Sequence, residues 1–278
     1  MDEIKTEIEA PSLIARRKRA RASRREAILD VALPILSFVA LIGLWEFLVI
    51  RLKVPMYIMP PPSKFLLRLV ESRELLLDNA QRTVIEVVLG FLSATVISIP
   101  LGYLIASVKM MERTFYPLIV FVQITPKIAI APLFIVWFGF GMFPKVLITF
   151  LLCFFPTLVA SMAGFKSLDQ RILYLSRSMG ATPWQTFRFI RIPSALPYIF
   201  SGLQVSIVFA STGAIVGEFV GANKGLGYLL LRGTSYLDTS LIFAVLIVLA
   251  VLGLVFSYAV QFIETIVMPW KRSKEGTS

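Results

Sequence analysis

The chain has 278 residues, of which 57% are hydrophobic and 16% charged, and its formal net charge is +11 at pH 7. With a mean hydropathy of +0.79, this composition leaves too little polar surface for a soluble globule and predicts an integral membrane protein. The single cysteine, Cys153, excludes an intramolecular disulfide and a thiolate metal cluster. The chain also contains no histidine, and no metal site is predicted. Because histidine is the commonest general base, a membrane-embedded enzyme fits the sequence poorly.

Residues 1–28 form a charged N-terminal arm, acidic at first and then basic in the run RRKRARASRR. The acidic start and the lack of a small-residue cleavage site argue against a cleavable signal peptide. We expect the arm to be cytoplasmic, partly disordered or amphipathic, and to contact anionic lipid headgroups, not nucleic acid.

Six apolar runs approach or exceed the roughly 20 residues that cross a hydrocarbon core. They cover residues 31–50, 83–108, 115–138, 146–165, 192–217 and 239–263. Polar residues weaken the first run, which contains Glu46, and the third, which contains Gln123 and Lys127. The sequence predicts an all-α membrane protein with six transmembrane helices in one domain, residues 29–270, followed by a polar tail over residues 271–278.

The segment between the first two runs begins with a proline-rich bend and continues as a predicted amphipathic helix within residues 53–80. We expect this helix to lie along the outer interface. Its apolar positions are Phe65, Leu66, Leu69, Leu75 and Leu76.

Orientation follows from the cations, since Lys and Arg near the ends of spans are retained on the cytoplasmic side. Placing the basic arm inside also places the loop over residues 166–191 and the basic C-terminal tail inside. Both termini are therefore predicted to be cytoplasmic.

That loop contains a capping box, in which Thr182 and Gln185 flank Pro183 at the first position of a short helix. Gly180 is expected to end the preceding helix, while Pro193 and Pro197 should interrupt the next one and hold the short helix at an angle. Apolar contacts are expected from Trp184, Phe187, Phe189 and Ile190, beside the polar residues Gln185, Arg188 and Arg191. The alternative is an interfacial helix that rests on lipid headgroups.

Gly180, followed after nine residues by Ile190-Arg191-Ile192-Pro193, resembles the EAA motif of bacterial ABC importer permeases. The letters that name the motif would fall on Tyr174-Leu175-Ser176, so its acidic residue is absent and an ion pair from it to an ATPase is in doubt. Four further segments are similar to permeases of the nitrate, sulfonate, taurine and bicarbonate group. They are YIMPPPSKF at 57–65, GFLSATVISIPLGYLIASV at 90–108, ITPKIAIAPLFIVWFGFG at 124–141 and IVGEFVGANKGLGYLL at 215–230.

The resemblance implies the type I ABC importer permease fold, with a cytoplasmic coupling helix between the fourth and fifth spans. It also implies a homodimer in the bacterial inner membrane, two ATPase subunits that bind ATP and Mg, and a periplasmic solute-binding protein. The coupling residues it assigns are Gly180, Thr182, Pro183, Trp184, Gln185, Phe187, Arg188, Ile190 and Pro193.

The chain contains no G-x-x-x-x-G-K-[ST] phosphate loop, so we expect no ATP hydrolysis and no cofactor in this chain. Gly221, Gly225 and Gly227 suit a tight turn in the last outer loop better than a phosphate cradle.

Polar residues inside apolar spans are candidates for a translocation path, because burying them in lipid is costly. Lys127 would help a small anion to leave water, and Thr125-Pro126 before it would break the helix; alternatively, the lysine snorkels to an interface. Glu218 either pairs with Lys224 or Arg232 or gates the path, and Glu46 is interpreted as a helix-packing residue. The candidate path residues are Gln123, Thr125, Lys127, Gln204, Ser211, Thr212 and Glu218.

The resemblance points to a small anion as the imported solute, with nitrate, sulfonate, taurine and bicarbonate as examples. A thiamine-precursor pyrimidine or an aromatic acid carried by the same importer class is the alternative. A channel or secondary transporter that needs no ATPase is more remote, since it would have no use for a docking helix at the motif spacing.

Overall fold

A computed structural model describes residues 13–271 of the chain, with side chains from residue 32 to residue 270. The described part is all-α, as predicted, and contains no strand. Its helices are Leu13–Arg51 (α1), Pro62–Glu71 (α2), Arg73–Ser107 (α3), Lys109–Ile124 (α4), Ala131–Phe138 (α5), Met142–Lys166 (α6), Gln170–Ser178 (α7), Pro183–Thr186 (α8), Ile192–Gly221 (α9), Leu226–Ser235 (α10) and Thr239–Val267 (α11).

The chain divides into two compact units, residues 1–65 and residues 66–278. The first 12 residues of the predicted arm lie outside the described residues, and the backbone of residues 13–28 belongs to α1. The predicted tail lies outside the described residues from position 272 onward.

In the first unit, Glu46 of α1 caps the N-terminus of α2. Its carboxylate accepts hydrogen bonds from the backbone N of Ser63 at 3.0 Å and from Ser63 Oγ at 2.7 Å. The rings of Trp45 and Phe65 pack with their centroids 5.5 Å apart. A carboxylate at a helix N-terminus satisfies backbone N–H groups that have no partner within the helix. These contacts agree with the packing role predicted for Glu46.

The separate amphipathic helix predicted within residues 53–80 is wrong in its second half. α2 ends at Glu71, and α3 begins at Arg73 and continues to Ser107 as one helix. Because no proline or glycine occurs from residue 73 to residue 89, nothing in the sequence stops this helix before the apolar run. Leu75 and Leu76 therefore belong to the helix of the second span.

The centre of the second unit is formed by α3, α6 and α9, and α6 packs along much of its length against both of the others. Buried hydroxyl groups join α6 to α9, with Thr157 Oγ1 and Ser206 Oγ 2.7 Å apart. Ser206 Oγ also donates to the carbonyl oxygen of Cys153 at 3.1 Å. Hydroxyl groups that hydrogen-bond between helices satisfy one another without water, as is typical of helix packing in membranes.

Five helical segments are long and apolar enough to cross a membrane, and a bent pair, α4 with residues 127–138, makes a sixth if the pair is counted as one span. The axis turns by 79° between the two members of that pair. Thr125 is extended at the break, with φ −62° and ψ 134°, and Pro126 follows it. A proline disfavours the helical conformation in the residue before it, which accounts for the break.

The break that Thr125-Pro126 predicts within residues 115–138 is therefore confirmed, and helices at the other five predicted spans are confirmed with somewhat different ends. α5 has 8 residues, which is too short to cross a bilayer by itself.

Candidate functional site

The loop between α6 and α9 contains the predicted docking helix. Asp169 caps α7 by accepting a hydrogen bond from the backbone N of Arg171 at 2.9 Å. α7 ends at Ser178, and Gly180 follows with φ +80°. This left-handed conformation favours glycine, so the predicted helix end at Gly180 is confirmed.

The capping box of α8 is also confirmed. The backbone N of Gln185 donates to Thr182 Oγ1 at 3.2 Å, and the backbone N of Thr182 donates to Gln185 Oε1 at 2.8 Å. Pro183 occupies the first turn, where a missing N–H costs little.

The prediction that Pro193 and Pro197 interrupt the helix after α8 is wrong. α8 passes through a π turn, Phe187–Arg191, directly into α9, so residues 183–221 form one helical segment. Within the π turn, the backbone N of Ile192 donates to the carbonyl oxygen of Phe187, five residues earlier. The wider turn relieves the clash that the ring of Pro193 would make with a regular preceding turn.

The aromatic residues of the docking helix are of two kinds, some exposed to the surroundings and one packed against α3. Trp184 and Phe189 are 65% and 69% exposed. Phe187 instead packs on Tyr103 of α3 at a centroid distance of 4.7 Å and on Trp184 at 5.7 Å. Trp184 and Phe189 are thus free to meet a partner, whereas Phe187 holds the helix on the membrane unit. Arg188 is exposed, and Ile190 and Pro193 are half-buried.

Three exposed apolar residues near this helix were not singled out from the sequence. Tyr174, Leu175 and Met179 of α7 and the residue after it are 64%, 61% and 79% exposed. The only signal in the sequence was that Tyr174 and Leu175 occupy motif positions where smaller or charged residues belong. We use the name coupling surface for Tyr174, Leu175, Met179, Trp184 and Phe189.

Three of the candidate path residues, Gln123, Thr125 and Lys127, lie together at the break between α4 and α5. Lys127 Nζ donates to the carbonyl oxygen of Gln123 at 2.7 Å and lies 5.0 Å from the centroid of the Phe155 ring. Phe155 is near the middle of α6. The break therefore places a cationic side chain, held by a carbonyl and an aromatic face, at half the depth of a span.

The other four candidates lie along α9, and among the described contacts none bonds to the residues of the break. Gln204 Nε2 donates to Glu264 Oε2 of α11 at 2.6 Å. Thr212 Oγ1 lies 3.4 Å from the carbonyl oxygen of Val208. Ser211 Oγ is buried and has no hydrogen-bond partner among the described residues.

Glu218, the fourth, is fully buried and fastens the loop after α9 to α3. Its carboxylate accepts hydrogen bonds from Thr83 Oγ1 at 2.7 Å and from the backbone N of Gly227. Thr83 Oγ1 in turn accepts from the backbone N of Leu226 at 2.9 Å, and Asn79 Oδ1 accepts from the backbone N of Gly225 at 2.7 Å. The glycine-containing turn is thus closed over a buried carboxylate, in agreement with the tight turn predicted there.

Among the described residues, neither Lys224 nor Arg232, the two cations considered as partners of Glu218, forms an ion pair with it. Lys224 Nζ instead lies 3.0 Å from Asp78 Oδ2, and no pairing of Arg232 with Glu218 is present. Thr83 of α3 and the backbone N of Gly227, not the nearest cations in the sequence, donate hydrogen bonds to Glu218.

A second buried group, an ion pair between Glu86 of α3 and Lys145 of α6, was missed. Lys145 Nζ lies 2.6 Å from Glu86 Oε1, and the two residues are 8% and 1% exposed. Glu218 interacts electrostatically with both members. The signal in the sequence that could have indicated this ion pair was the position of Glu86 inside the predicted span over residues 83–108.

Comparison with known proteins identifies the kind of molecule that carries these features. Residues 98–273 match the family described as binding-protein-dependent transport system inner membrane component. The match begins in the second half of α3 and includes the break, the coupling surface and α9 to α11.

Two curated relatives cover most of the chain. The formylaminopyrimidine transport permease protein ThiX of Halalkalibacterium halodurans is 35% identical over 87% of this chain and 96% of its own length. A putative aliphatic sulfonates transport permease protein, SsuC of Bacillus subtilis, is 28% identical over 85% of this chain and 86% of its own length.

The fold is that of a solved transporter chain. A chain of the MetNI methionine ABC transporter, in an inward-facing conformation, superposes with a TM-score of 0.62 at 22% identity. The superposition covers 71% of this chain and 98% of the other. It confirms the predicted permease fold.

Proposed function

Since this chain belongs to the family of binding-protein-dependent transport system inner membrane components, we propose that it imports a small anion with energy from a separate ATPase. It is a transport subunit, not an enzyme, and a multi-pass protein of the inner membrane. In this proposal, both termini and the coupling surface are cytoplasmic, as the distribution of Lys and Arg favours. ATP and Mg are bound by two ATPase subunits, and a solute-binding protein delivers the anion from the periplasm.

The observation that carries the ATPase partnership is the exposed aromatic pair Trp184 and Phe189 on a helix fixed at both ends. The capping box fixes its start, and Phe187 against Tyr103 fixes its end. Large aromatic side chains on a rigid frame are typical anchors of protein interfaces. Because the π turn leads directly into α9, a movement of the docked helix would pass to the fifth span without a flexible hinge.

The prediction that tests this partnership is the loss of the ATPase on truncation of the anchor. Trp184→Ala should reduce the ATPase subunit that co-purifies with the chain by at least about tenfold, since truncating an interface anchor costs 2 kcal/mol or more. The matched control is Tyr236→Ala, which removes an aromatic ring that is 76% exposed at the opposite end of the membrane unit. Equal recovery of the ATPase with both variants would contradict the proposed docking role.

The observation that favours an anion is the position of Lys127 at the break. A broken span frees backbone polar groups at membrane depth, which is tolerated where they face protein or a water-filled cavity. In a single chain, the break lies at the surface, with Gln123 exposed and Ile124 79% exposed. A second copy of the chain would cover this surface and enclose the path, so we include a homodimer in the proposal.

Replacement of Lys127 should strongly reduce import of an anion without loss of assembly. Lys127→Met keeps the length of the side chain and removes its charge, so anion uptake into proteoliposomes should fall at least about tenfold. Lys109→Met, at the other end of α4, is the control and should retain uptake. If Lys127→Met transports the anion as well as Lys109→Met does, the lysine has no part in the path.

A pyrimidine carrier is the second candidate, because the relative named for formylaminopyrimidine transport has a higher identity, 35%, than the one named for sulfonates, 28%. A neutral solute would not require a cation at the break. Uptake that survives Lys127→Met, for a pyrimidine recognised by the cognate binding protein, would favour this candidate over the anion.

A further inference from the structure

The docking helix α8 is joined to the rest of the membrane unit by its backbone and also by aromatic rings. The backbone continues through the π turn over residues 187–191 into α9. The rings form a row that runs from α8 across α3 to α6, with centroid distances of 5.7, 4.7 and 5.0 Å between neighbours. We use the name aromatic row for Trp184, Phe187, Tyr103 and Phe165. The row begins on the coupling surface and ends on α6.

Tyr103 is the ring at which the row reaches α3. It is half-buried near the C-terminal end of that helix, and it contacts Phe187 on one side and Phe165 on the other. Its ring plane is tilted by 54° against that of Phe187 and by 67° against that of Phe165. Tilted and edge-to-face pairs are favoured by the charge distribution of aromatic rings. One side chain thus links the docking helix to both α3 and α6.

Each of the two rings on α3 and α6 follows a glycine that brings two helices close together. A Cβ on Gly102 of α3 would lie 2.7 Å from Ser161 Cβ of α6. A Cβ on Gly164 of α6 would lie 2.8 Å from the carbonyl oxygen of Ala195 of α9. Small residues let helix backbones approach this closely in membranes. α3 therefore packs on α6 and α6 on α9, and α9 leads back through the π turn to the docking helix.

The same three helices are also joined towards their opposite ends. Lys145 of α6 pairs with Glu86 of α3, and Glu218 of α9 accepts a hydrogen bond from Thr83 of α3. Close-packed protein interiors have low compressibility and transmit strain. We therefore expect α3, α6 and α9 to move as one body when one end of it is displaced.

Such a body follows the docking helix fully only if the angle between the two is fixed. The backbone alone does not fix that angle, because π turns are sites at which helices bend. The contact of Phe187 with Tyr103 supplies a second support, on a helix other than α9. Two supports on different helices oppose bending at the π turn, whereas one support permits it.

We propose that Tyr103 is a positioning residue, which holds the docking helix at a fixed angle to α3, α6 and α9 so that movement of the ATPase turns these helices together. The inference rests on the proposed ATPase partnership and adds the residue on which the efficiency of coupling depends. Coupling between distant sites is carried by packed side chains and rigid elements. Tyr103 acts through Phe187, while Trp184 and Phe189 remain the anchors for the ATPase.

The test uses the full chain assembled with its ATPase in liposomes, and the probe is the solute-binding protein as purified with its own solute. The measurement is the factor by which this protein stimulates ATP hydrolysis. Tyr103→Leu keeps an apolar side chain but removes both ring contacts, so it should lower the factor at least about threefold, within the range for residues that transmit coupling. Tyr103→Phe keeps both ring contacts and should restore the factor. The matched control, Tyr258→Leu, removes a ring that is 66% exposed on α11 and should leave the factor unchanged.

A purely structural role for Tyr103 would lower basal and stimulated hydrolysis alike, and the factor would stay the same. A second measurement is hydrogen exchange of the chain without the ATPase. Residues 183–191 should exchange faster in Tyr103→Leu than in Tyr258→Leu, because the docking helix has lost one support. Equal factors or equal exchange in these two variants would overturn the proposed role. So would a loss of co-purified ATPase from Tyr103→Leu as large as that from Trp184→Ala, since Tyr103 would then support docking itself.

Failure of the importer proposal would look different. If the unaltered chain recovers no ATPase, the importer proposal fails and the coupling role of Tyr103 fails with it. If the unaltered complex responds to the binding protein, while Tyr103→Leu responds like Tyr258→Leu, the importer stands and the role of Tyr103 does not.

Discussion

Glu86→Ala is expected to lower the free energy of unfolding by about 3–5 kcal/mol, the range for removal of one partner from a buried ion pair. Lys145 is 8% exposed and has Glu86 as its ion-pair partner at 2.6 Å. Among the described residues, truncating the glutamate leaves the buried ammonium group with Glu218 as its remaining counter-charge. The measurement is the chemical or thermal unfolding of the purified chain in detergent, compared with the unaltered protein.

The double variant Glu86→Leu with Lys145→Met should recover most of this loss. Apolar residues of similar volume remove both desolvation costs at once, and such replacements of buried pairs are often neutral or stabilising. The exposed pair of Lys224 and Asp78 supplies the control, with side chains 57% and 54% exposed. Lys224→Met should cost less than about 1 kcal/mol. If Glu86→Ala is no more damaging than Lys224→Met, the buried pair does not stabilise the fold in the way described.

Local sequence signals predicted the parts of the molecule that depend on neighbours in the chain. The apolar runs predicted five helices because burial in lipid requires a long uncharged helix, whatever else packs against it. The capping box of Thr182 and Gln185 was predictable because both bonds join residues three positions apart. Gly180 was predictable for the same reason, since a helix end needs only one residue in the left-handed conformation.

The parts that sequence reasoning missed depend on distant residues. Glu86 and Lys145 are 59 positions apart, and Thr83 and Glu218 are 135 apart. No periodicity or spacing relates such residues, so the nearest cations, Lys224 and Arg232, were the natural partners to consider for Glu218.

The continuity of α8 with α9 was missed for a different reason. Prolines at positions 193 and 197 argue locally for a break. The π turn before Pro193 is a backbone alternative that local propensity does not reveal. At Pro126, where no such turn precedes the proline, the helix does break.

Gly225→Ala is expected to disrupt the turn that closes over Glu218 and to destabilise the protein by more than about 3 kcal/mol, the sum of backbone strain and lost charged hydrogen bonds. Gly225 has φ +126°, and a methyl group there would lie 2.1 Å from Glu218 Oε1. Because the carboxylate is fully buried and held by Thr83 and Gly227, it has no free direction in which to move. Hydrogen exchange should show early loss of protection at the amides of residues 225–227.

Gly139→Ala is the control that tests backbone strain at a glycine with positive φ without a steric clash from the added methyl group. Gly139 also has a positive φ, +75°, with ψ −174°, and a Cβ there would meet no atom within 4 Å. This variant should show only the strain of the backbone conformation, about 1–3 kcal/mol, with unchanged protection at residues 225–227. Equal destabilisation by the two variants would mean that Glu218 yields to the added methyl group. The carboxylate would then not be the fixed support of the turn.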